Sequence, residues 1–138
     1  MKVLNVGLAV GALLVHASAA FAFEPQLESA IARGEYSFTH NMFGGGGKVC
    51  ASCHLAGGKE PGKLPNGKEI PSLMNAAAIF PRIRNGRVMT LTDQIRSCVE
   101  NALKGSPPEY GGDELNYLAS YITSLAQGRA IDMDGAPR

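Results

Sequence analysis

Cys50-Ala51-Ser52-Cys53-His54 is a C-x-x-C-H pentapeptide, the attachment pattern of a c-type haem. The two thiols are expected to add across the vinyl groups of the porphyrin, and the His54 ring to bind the iron as proximal ligand. A zinc site would need four ligands, and the sequence has no second Cys-x-x-Cys or His-x-His pair. A thioredoxin-like redox pair would follow a strand, whereas four glycines at residues 44–47 precede this motif. The pentapeptide therefore predicts one covalently bound haem c.

The amino terminus has the layout of a secretory signal peptide. Lys2 gives the positive start, residues 3–15 form a short apolar run, and Ala20-Phe21-Ala22 is a small-x-small cleavage site. We therefore expect a signal peptide at residues 1–22 and one cytochrome c domain at residues 23–138. The apolar run is too short to span a membrane comfortably, so no span is expected after cleavage. Attachment of haem to reduced thiols after export favours a bacterial periplasm.

The net charge gives no indication of a nucleic-acid or membrane partner, and the cysteine count leaves one cysteine outside the haem motif. The formal net charge is +1, and it falls to zero once Lys2 is removed with the signal peptide. Such a balance gives no indication of binding to nucleic acid or to an anionic membrane. The chain has three cysteines, so Cys98 is left over from the haem motif. In an exported protein an unpaired cysteine is buried and inert, bridged to another chain, or bound to metal.

The first mature residues predict a helix. Residues 25–33 begin with Pro25, which suits the first turn of a helix, and apolar side chains recur at helical spacing. Gly34 falls on the apolar face, where it would let another helix approach closely. Tyr36 and Phe38 follow, and we expect both aromatic rings in the core.

Two further helices are predicted in the second half of the chain. Thr90 and Asp93 have capping-box spacing at the start of residues 90–104. Asp113 is the expected N-cap of a last helix at residues 113–127. No convincing alternating strand occurs, so the predicted fold class is all-α. We expect a cytochrome c-like domain with crossed N- and C-terminal helices around one covalently bound haem.

Four side chains have atoms that suit the second axial position of the iron: His40, Met74, Met89 and Cys98. The two methionines also fit as core fillers, and His40 as an ordinary loop histidine. Cys98 lies on the apolar face of its predicted helix, where it would point towards the haem. A buried, inert cysteine fits that position equally well, so position alone leaves both interpretations open.

Several motifs together resemble the first haem domain of thiosulfate dehydrogenases and the SoxA-type subunit of thiosulfate oxidation. They are the C-x-x-C-H motif with Gly57 and Gly58, Phe80-Pro81, Thr90-Leu91-x-x-Gln94-Ile95-x-x-Cys98, and Gly105-x-Pro107-Pro108. The resemblance covers most of the mature chain. It implies that Cys98 binds the iron opposite His54. It also implies a role in the oxidation of sulfur compounds.

Two departures separate this chain from those families. Thiosulfate dehydrogenases carry a second haem domain that accepts the electrons, and only one C-x-x-C-H occurs here. Family members usually have a basic residue before Ile95, where this chain has Gln94, with Arg96 on the other side. In size and ligand set the chain also looks like small His/Cys cytochromes that bind nitric oxide, some of which work as heterodimers.

Arg82, Arg84 and Arg87 form a basic cluster shortly before Cys98. One interpretation is a cradle for an anion such as thiosulfate beside the iron. The other is pairing with the haem propionates, or simple exposure, because arginine is a usual partner of carboxylates. We therefore place these three residues among the cofactor-binding candidates, with Cys50, Cys53, His54 and Cys98.

The first functional hypothesis is electron transfer linked to thiosulfate oxidation. It requires a redox partner protein, for example a second cytochrome subunit in a heterodimer or homodimer. The second hypothesis is binding or sensing of nitric oxide. The third is catalysis of thiosulfate oxidation at the haem, with a partner chain that takes the electrons. The sequence indicates no catalytic residue.

Overall fold

A computed structural model of the protein describes residues 24–137. The predicted signal peptide at residues 1–22 lies outside this part. No helix among the described residues is long and apolar enough to cross a membrane. Three α-helices and four very short strands follow in chain order: α1 (Pro25–His40), β1 (Gly62–Lys63), β2 (Glu69–Ile70), β3 (Arg82–Arg84), β4 (Arg87–Met89), α2 (Leu91–Cys98) and α3 (Asp113–Leu125).

The most extensive contact between elements joins α1 to α3. Gly34 makes this crossing possible, because a Cβ atom there would lie 2.0 Å from the carbonyl oxygen of Tyr117. The predicted close approach at Gly34 is therefore confirmed. The helix α1 runs seven residues past the predicted end at residue 33, to His40. Its last two turns stay helical because Ser37 and Phe38 are buried against the rest of the domain.

The hydrophobic core lies between α1, α2 and α3. Phe38 is 1% exposed, which confirms the prediction for that ring, whereas Tyr36 is 68% exposed and its core prediction is wrong. Tyr36 instead stacks on His40 at the surface, with ring centroids 4.4 Å apart. The core cluster consists of Phe38, Ala76, Ile95, Leu115, Leu118, Tyr121 and Ile122.

The helix α2 begins with the predicted capping box. The hydroxyl of Thr90 accepts from the backbone N–H of Asp93, and the Asp93 carboxylate accepts from the backbone N–H of Thr90. Beyond Cys98 the chain does not continue as an α-helix but winds into a π-helical turn, Val99–Leu103. The buried side chains Ile95, Val99 and Leu103 hold this wider turn against the core. The predicted helix at residues 90–104 is thus present, with a change of winding directly after Cys98.

The helix α3 begins at Asp113, with Gly112 as the N-cap and no side-chain cap. The predicted N-cap role of Asp113 is therefore wrong by one residue. Asp113 and Glu114 instead place two carboxylates in the first turn, where the helix dipole favours negative charge. The helix ends at Leu125, two residues before the predicted end.

The strands form two small antiparallel hairpins, β1 with β2 and β3 with β4. In the second hairpin Ile83 lies opposite Val88, and Asn85-Gly86 forms the turn with φ angles of 51° and 72°. Asn-Gly is the favoured pair for a two-residue hairpin turn, so this turn was the available sequence signal for the missed strands. With only two or three residues per strand, the hairpins leave the predicted all-α class intact.

Candidate haem site

The C-x-x-C-H motif is wound into a tight turn by its own backbone. A 3₁₀ turn covers Cys50–Ser52, and the N–H groups of Cys53 and His54 both donate to the carbonyl of Cys50, at 3.2 and 3.0 Å. The Ser52 hydroxyl accepts from the backbone N–H of Val49 at 3.0 Å and closes the turn. These bonds keep the two thiols and the imidazole close together, as attachment of one haem to all three residues requires.

The next segment presses against the motif. A Cβ atom on Gly62 would lie 1.8 Å from the carbonyl oxygen of Cys53, so only glycine fits at the start of β1. Tyr121 of α3 donates its hydroxyl to the carbonyl of Gly57 at 2.7 Å. The loop after the motif is therefore fixed at both points.

His54 is supported by aromatic rings from the core. Its ring centroid lies 6.0 Å from that of Phe38, which in turn lies 5.4 Å from the ring of Tyr121. Burial lowers the pKa of His54, so the imidazole is neutral near pH 7. Its Nδ1 atom is buried, and no described residue hydrogen-bonds to it. Iron binds a neutral imidazole through the lone pair of a ring nitrogen. The neutral, buried ring of His54, with a nitrogen that has no hydrogen-bond partner among the described residues, therefore fits a haem.

The fold brings Cys98 to the haem motif. Burial, the neighbouring Cys98 and, least of all, Cys53 together raise the pKa of the Cys50 thiol to about 12, against a backbone hydrogen bond that lowers it. Burial also raises the pKa of Cys98, with a smaller contribution from Cys53. All three cysteines are free and half-buried. These effects place the Cys98 thiol near the two attachment thiols.

Gln94 links Cys98 to the basic hairpin. Its side-chain amide donates to the sulfur of Cys98 at 3.2 Å, one helical turn further along α2. Its amide oxygen accepts from the guanidinium of Arg84, also at 3.2 Å. The hydrogen bond from Gln94 and the charge of Arg84 both act to lower the pKa of Cys98, against the larger effect of burial. In the sequence, Gln94 stands out only as a departure from a family pattern. Its spacing of four residues from Cys98 on one helix was the available signal for the contact.

The three arginines occupy one hairpin but different environments. Arg84 and Arg87 lie directly opposite each other, and strand alternation puts Arg82 on the same face. Only Arg84 contacts a residue next to Cys98. Arg82 is half-buried, and its Nε atom is buried with no hydrogen-bond partner among residues 24–137. Arg87 is exposed and acts on the carboxylate of Asp93.

The other three candidates for the second axial position are His40, Met89 and Met74. His40 is exposed, and its Nδ1 atom lies 2.8 Å from the hydroxyl of Thr39, on its own helix. Met89 is half-buried in β4, opposite Arg82. Met74 is half-buried in the segment before Ala77–Ile79. Of the two candidates that can ionise, His40 and Cys98, only Cys98 is among the causes that raise the pKa of the Cys50 thiol.

Comparison with known proteins decides the family. The model of the SoxA/TsdA cytochrome c domain matches residues 33–131. The chain belongs to this family. The resemblance in the motifs and the predicted cytochrome c-like fold are thereby confirmed. A cytochrome c domain carries haem c, so membership also supports haem c as the cofactor.

Three relatives show the extent of this likeness. A thiosulfate dehydrogenase of Psychrobacter arcticus is 31% identical over 80 residues, which cover 56% of this chain and 22% of that protein. A thiosulfate dehydrogenase of Stutzerimonas stutzeri is 27% identical over 86 residues, covering 61% and 26%. The structure of thiosulfate dehydrogenase TsdBA from Marichromatium purpuratum, in its "as isolated" form, has a TM-score of 0.66 and 26% identity, covering 88% of this chain and 28% of that one. The chain thus spans well under a third of each relative.

Proposed function

We propose that this chain is an exported, periplasmic cytochrome c with a single haem attached covalently to Cys50 and Cys53. His54 and Cys98 would supply the two protein ligands of its iron. The observation that carries this proposal is the position of Cys98, which sits close enough to the motif to raise the pKa of the Cys50 thiol. The predicted signal peptide at residues 1–22 supports the location.

The residues around the haem would favour the oxidised state. Haem c supplies a one-electron couple when bound. Burial keeps His54 neutral and ready to bind iron, whereas Cys98 becomes a thiolate only through iron coordination, because its surroundings otherwise favour the thiol. A thiolate ligand stabilises ferric iron and lowers the reduction potential. Such a low potential suits a dedicated partner better than a general electron shuttle.

Electron transfer linked to thiosulfate oxidation is the function that the family supports best. The relatives named above are thiosulfate dehydrogenases several times longer than this match. With one C-x-x-C-H in these 138 residues, the electron would pass to a second redox centre. We propose a second cytochrome subunit as the partner that carries it, in a heterodimer or homodimer. Arg82, whose buried Nε atom has no partner among the described residues, is suited to pair with a haem propionate.

Catalysis of thiosulfate oxidation is a second candidate, and the position of Arg84 favours it. Its guanidinium is held by Gln94 beside Cys98, where a small anion would meet both a positive charge and the iron ligand. Arg87 and Arg82 share that face of the hairpin and would add to the positive potential.

One assay separates the two candidates. Purified holoprotein is mixed with thiosulfate and an artificial one-electron acceptor, and reduction of the acceptor is followed. If the chain is an electron carrier, it shows no turnover alone, but it exchanges electrons rapidly with a partner cytochrome. If the chain is catalytic, it turns over without a partner, and Cys98→Ala abolishes the activity. Turnover that survives in Cys98→Ala would contradict the haem-based mechanism.

A further inference from the structure

Gln94 holds two different groups with one planar amide. The nitrogen lies 3.2 Å from the sulfur of Cys98, and the oxygen lies 3.2 Å from the guanidinium of Arg84. Gln94 and Cys98 are four residues apart on α2, so their side chains lie on the same face of the helix. Arg84 reaches this pair from the β3–β4 hairpin. The three side chains therefore form a continuous link from an exposed hairpin to a proposed iron ligand.

Arg84 decides which end of the amide faces the sulfur. A guanidinium has only hydrogen-bond donors, so the Arg84 side chain can donate only to the oxygen of the Gln94 amide and not to its nitrogen. With the oxygen held by Arg84, the NH₂ group is the end that remains for Cys98. A reversed amide would turn its oxygen towards the sulfur and would repel a thiolate. Hence Arg84 acts on Cys98 in two ways, through its charge and by fixing the orientation of Gln94.

We propose that Gln94 is a positioning residue that orients the Cys98 sulfur on the iron and sets the strength of the iron–sulfur bond, with Arg84 locking its amide. The inference rests on the proposed ligation of the iron by Cys98. A hydrogen bond to a thiolate ligand withdraws negative charge from the sulfur and weakens its donation to ferric iron. The ferrous state is stabilised relative to the ferric state, so the hydrogen bond raises the reduction potential.

The Cys98 sulfur is half-buried. The side-chain amide of Gln94 donates to it, and no other hydrogen bond to this sulfur is seen among the described residues.

The test is redox potentiometry of the holoprotein, together with ferric absorption and EPR spectra. Gln94→Leu keeps the bulk of the side chain and removes the donor, and Gln94→Glu keeps the shape but offers only acceptor oxygens to the sulfur. We expect each variant to shift the ferric-to-ferrous ratio at a fixed potential by about tenfold towards ferric, or about 59 mV downwards for one electron. Arg84→Ala should shift the ratio in the same direction by less.

Matched controls separate this role from general electrostatics. Arg87→Ala removes the same charge from the residue opposite Arg84 but breaks no bond to Gln94, so it should shift the ratio much less. Because Gln94 and Arg84 act through one contact, the Gln94→Leu/Arg84→Ala double variant should shift it by less than the sum of the single variants.

The outcomes for Gln94 and for Cys98 are distinguishable. If the wild type carries a thiolate spectrum and both Gln94 variants keep the wild-type ratio, the role of Gln94 is overturned and ligation by Cys98 stands. If the wild type lacks a thiolate spectrum, the ligand assignment fails, and this inference fails with it. A variant of Gln94 that does not fold is replaced in the comparison by the other one.

Discussion

The crossing of α1 and α3 makes a sharp prediction at Gly34. A Cβ atom there would lie 2.0 Å from the Tyr117 carbonyl oxygen and 2.7 Å from the Cβ of Tyr121, whereas ordinary contact begins at 3.4 Å. The obstructing atom is backbone and cannot rotate away, so Gly34→Ala must push the two helices apart by well over an ångström. Overpacking of this kind costs about 3 kcal/mol, at the upper end of the usual range.

Helix propensity acts in the opposite direction. Alanine in the middle of a helix is favoured over glycine by about 1 kcal/mol. The two effects leave Gly34→Ala about 2 kcal/mol less stable than the wild type, because the steric cost is the larger one. The measurement is chemical unfolding of the holoprotein, followed by far-UV circular dichroism.

Gly46 provides the matched control. A Cβ atom there would meet only the Leu103 carbonyl oxygen, at 3.9 Å, and its φ angle is not positive. Gly46→Ala should leave stability unchanged or raise it by about 0.4–1 kcal/mol, because alanine restricts the unfolded chain. A Gly34→Ala protein as stable as the wild type, or more so, would refute the proposed packing of the two helices.

Three further predictions concern the core, acid stability and gas binding. Phe38→Ala should cost about 3–5 kcal/mol in chemical unfolding and broaden the signals of His54, because Phe38 is 1% exposed and packs on that ring. Asp93 has a pKa lowered to about 2, first by the hydrogen bond from Tyr110 and then by those from Thr90. Its folded pKa lies below the ordinary 3.8, so its stabilisation is present above that pH and disappears towards pH 2; acid titration of Asp93→Asn should lack this component. If nitric oxide binding is the function, the reduced protein should shift its Soret band on exposure to the gas.

Each of these predictions has its own contradicting result. Tyr36→Ala is the control for Phe38→Ala, because Tyr36 is 68% exposed; equal losses in the two variants would contradict the core assignment. Tyr110→Phe should raise the pKa of Asp93 by removing its leading hydrogen bond, and an unchanged acid transition would contradict the assigned cause. An unchanged Soret band would exclude the nitric oxide hypothesis.

Local patterns in the sequence predicted the helices well and their ends less well. The capping box at Thr90 is a contact between near neighbours, so its spacing was sufficient to place the start of α2. The end of α1 depends on the burial of Phe38 against α3, which no local pattern carries. The N-cap of α3 moved to Gly112, because a glycine can end the preceding loop without a side-chain cap.

In the candidate site, too, local sequence predicted some features, whereas others depend on tertiary packing. The C-x-x-C-H motif was complete in five consecutive residues, and Cys98 stood out because it was left unpaired. The contact of Arg84 with Gln94 joins a hairpin to a helix, and its existence depends on tertiary packing. Sequence spacing grouped Arg84 with Arg82 and Arg87, but side-chain contacts separate the three residues.

The central claim is that the Cys98 sulfur binds the iron opposite His54, and ferric EPR of wild-type and variant holoprotein tests it most directly. The account predicts a low-spin thiolate signal in the wild type that Cys98→Ala abolishes. The same signal should persist in Met74→Leu and Met89→Leu, which remove the competing sulfur ligands. A low-spin thiolate signal that survives in Cys98→Ala, or a wild-type signal lost in either methionine variant instead, would contradict the account.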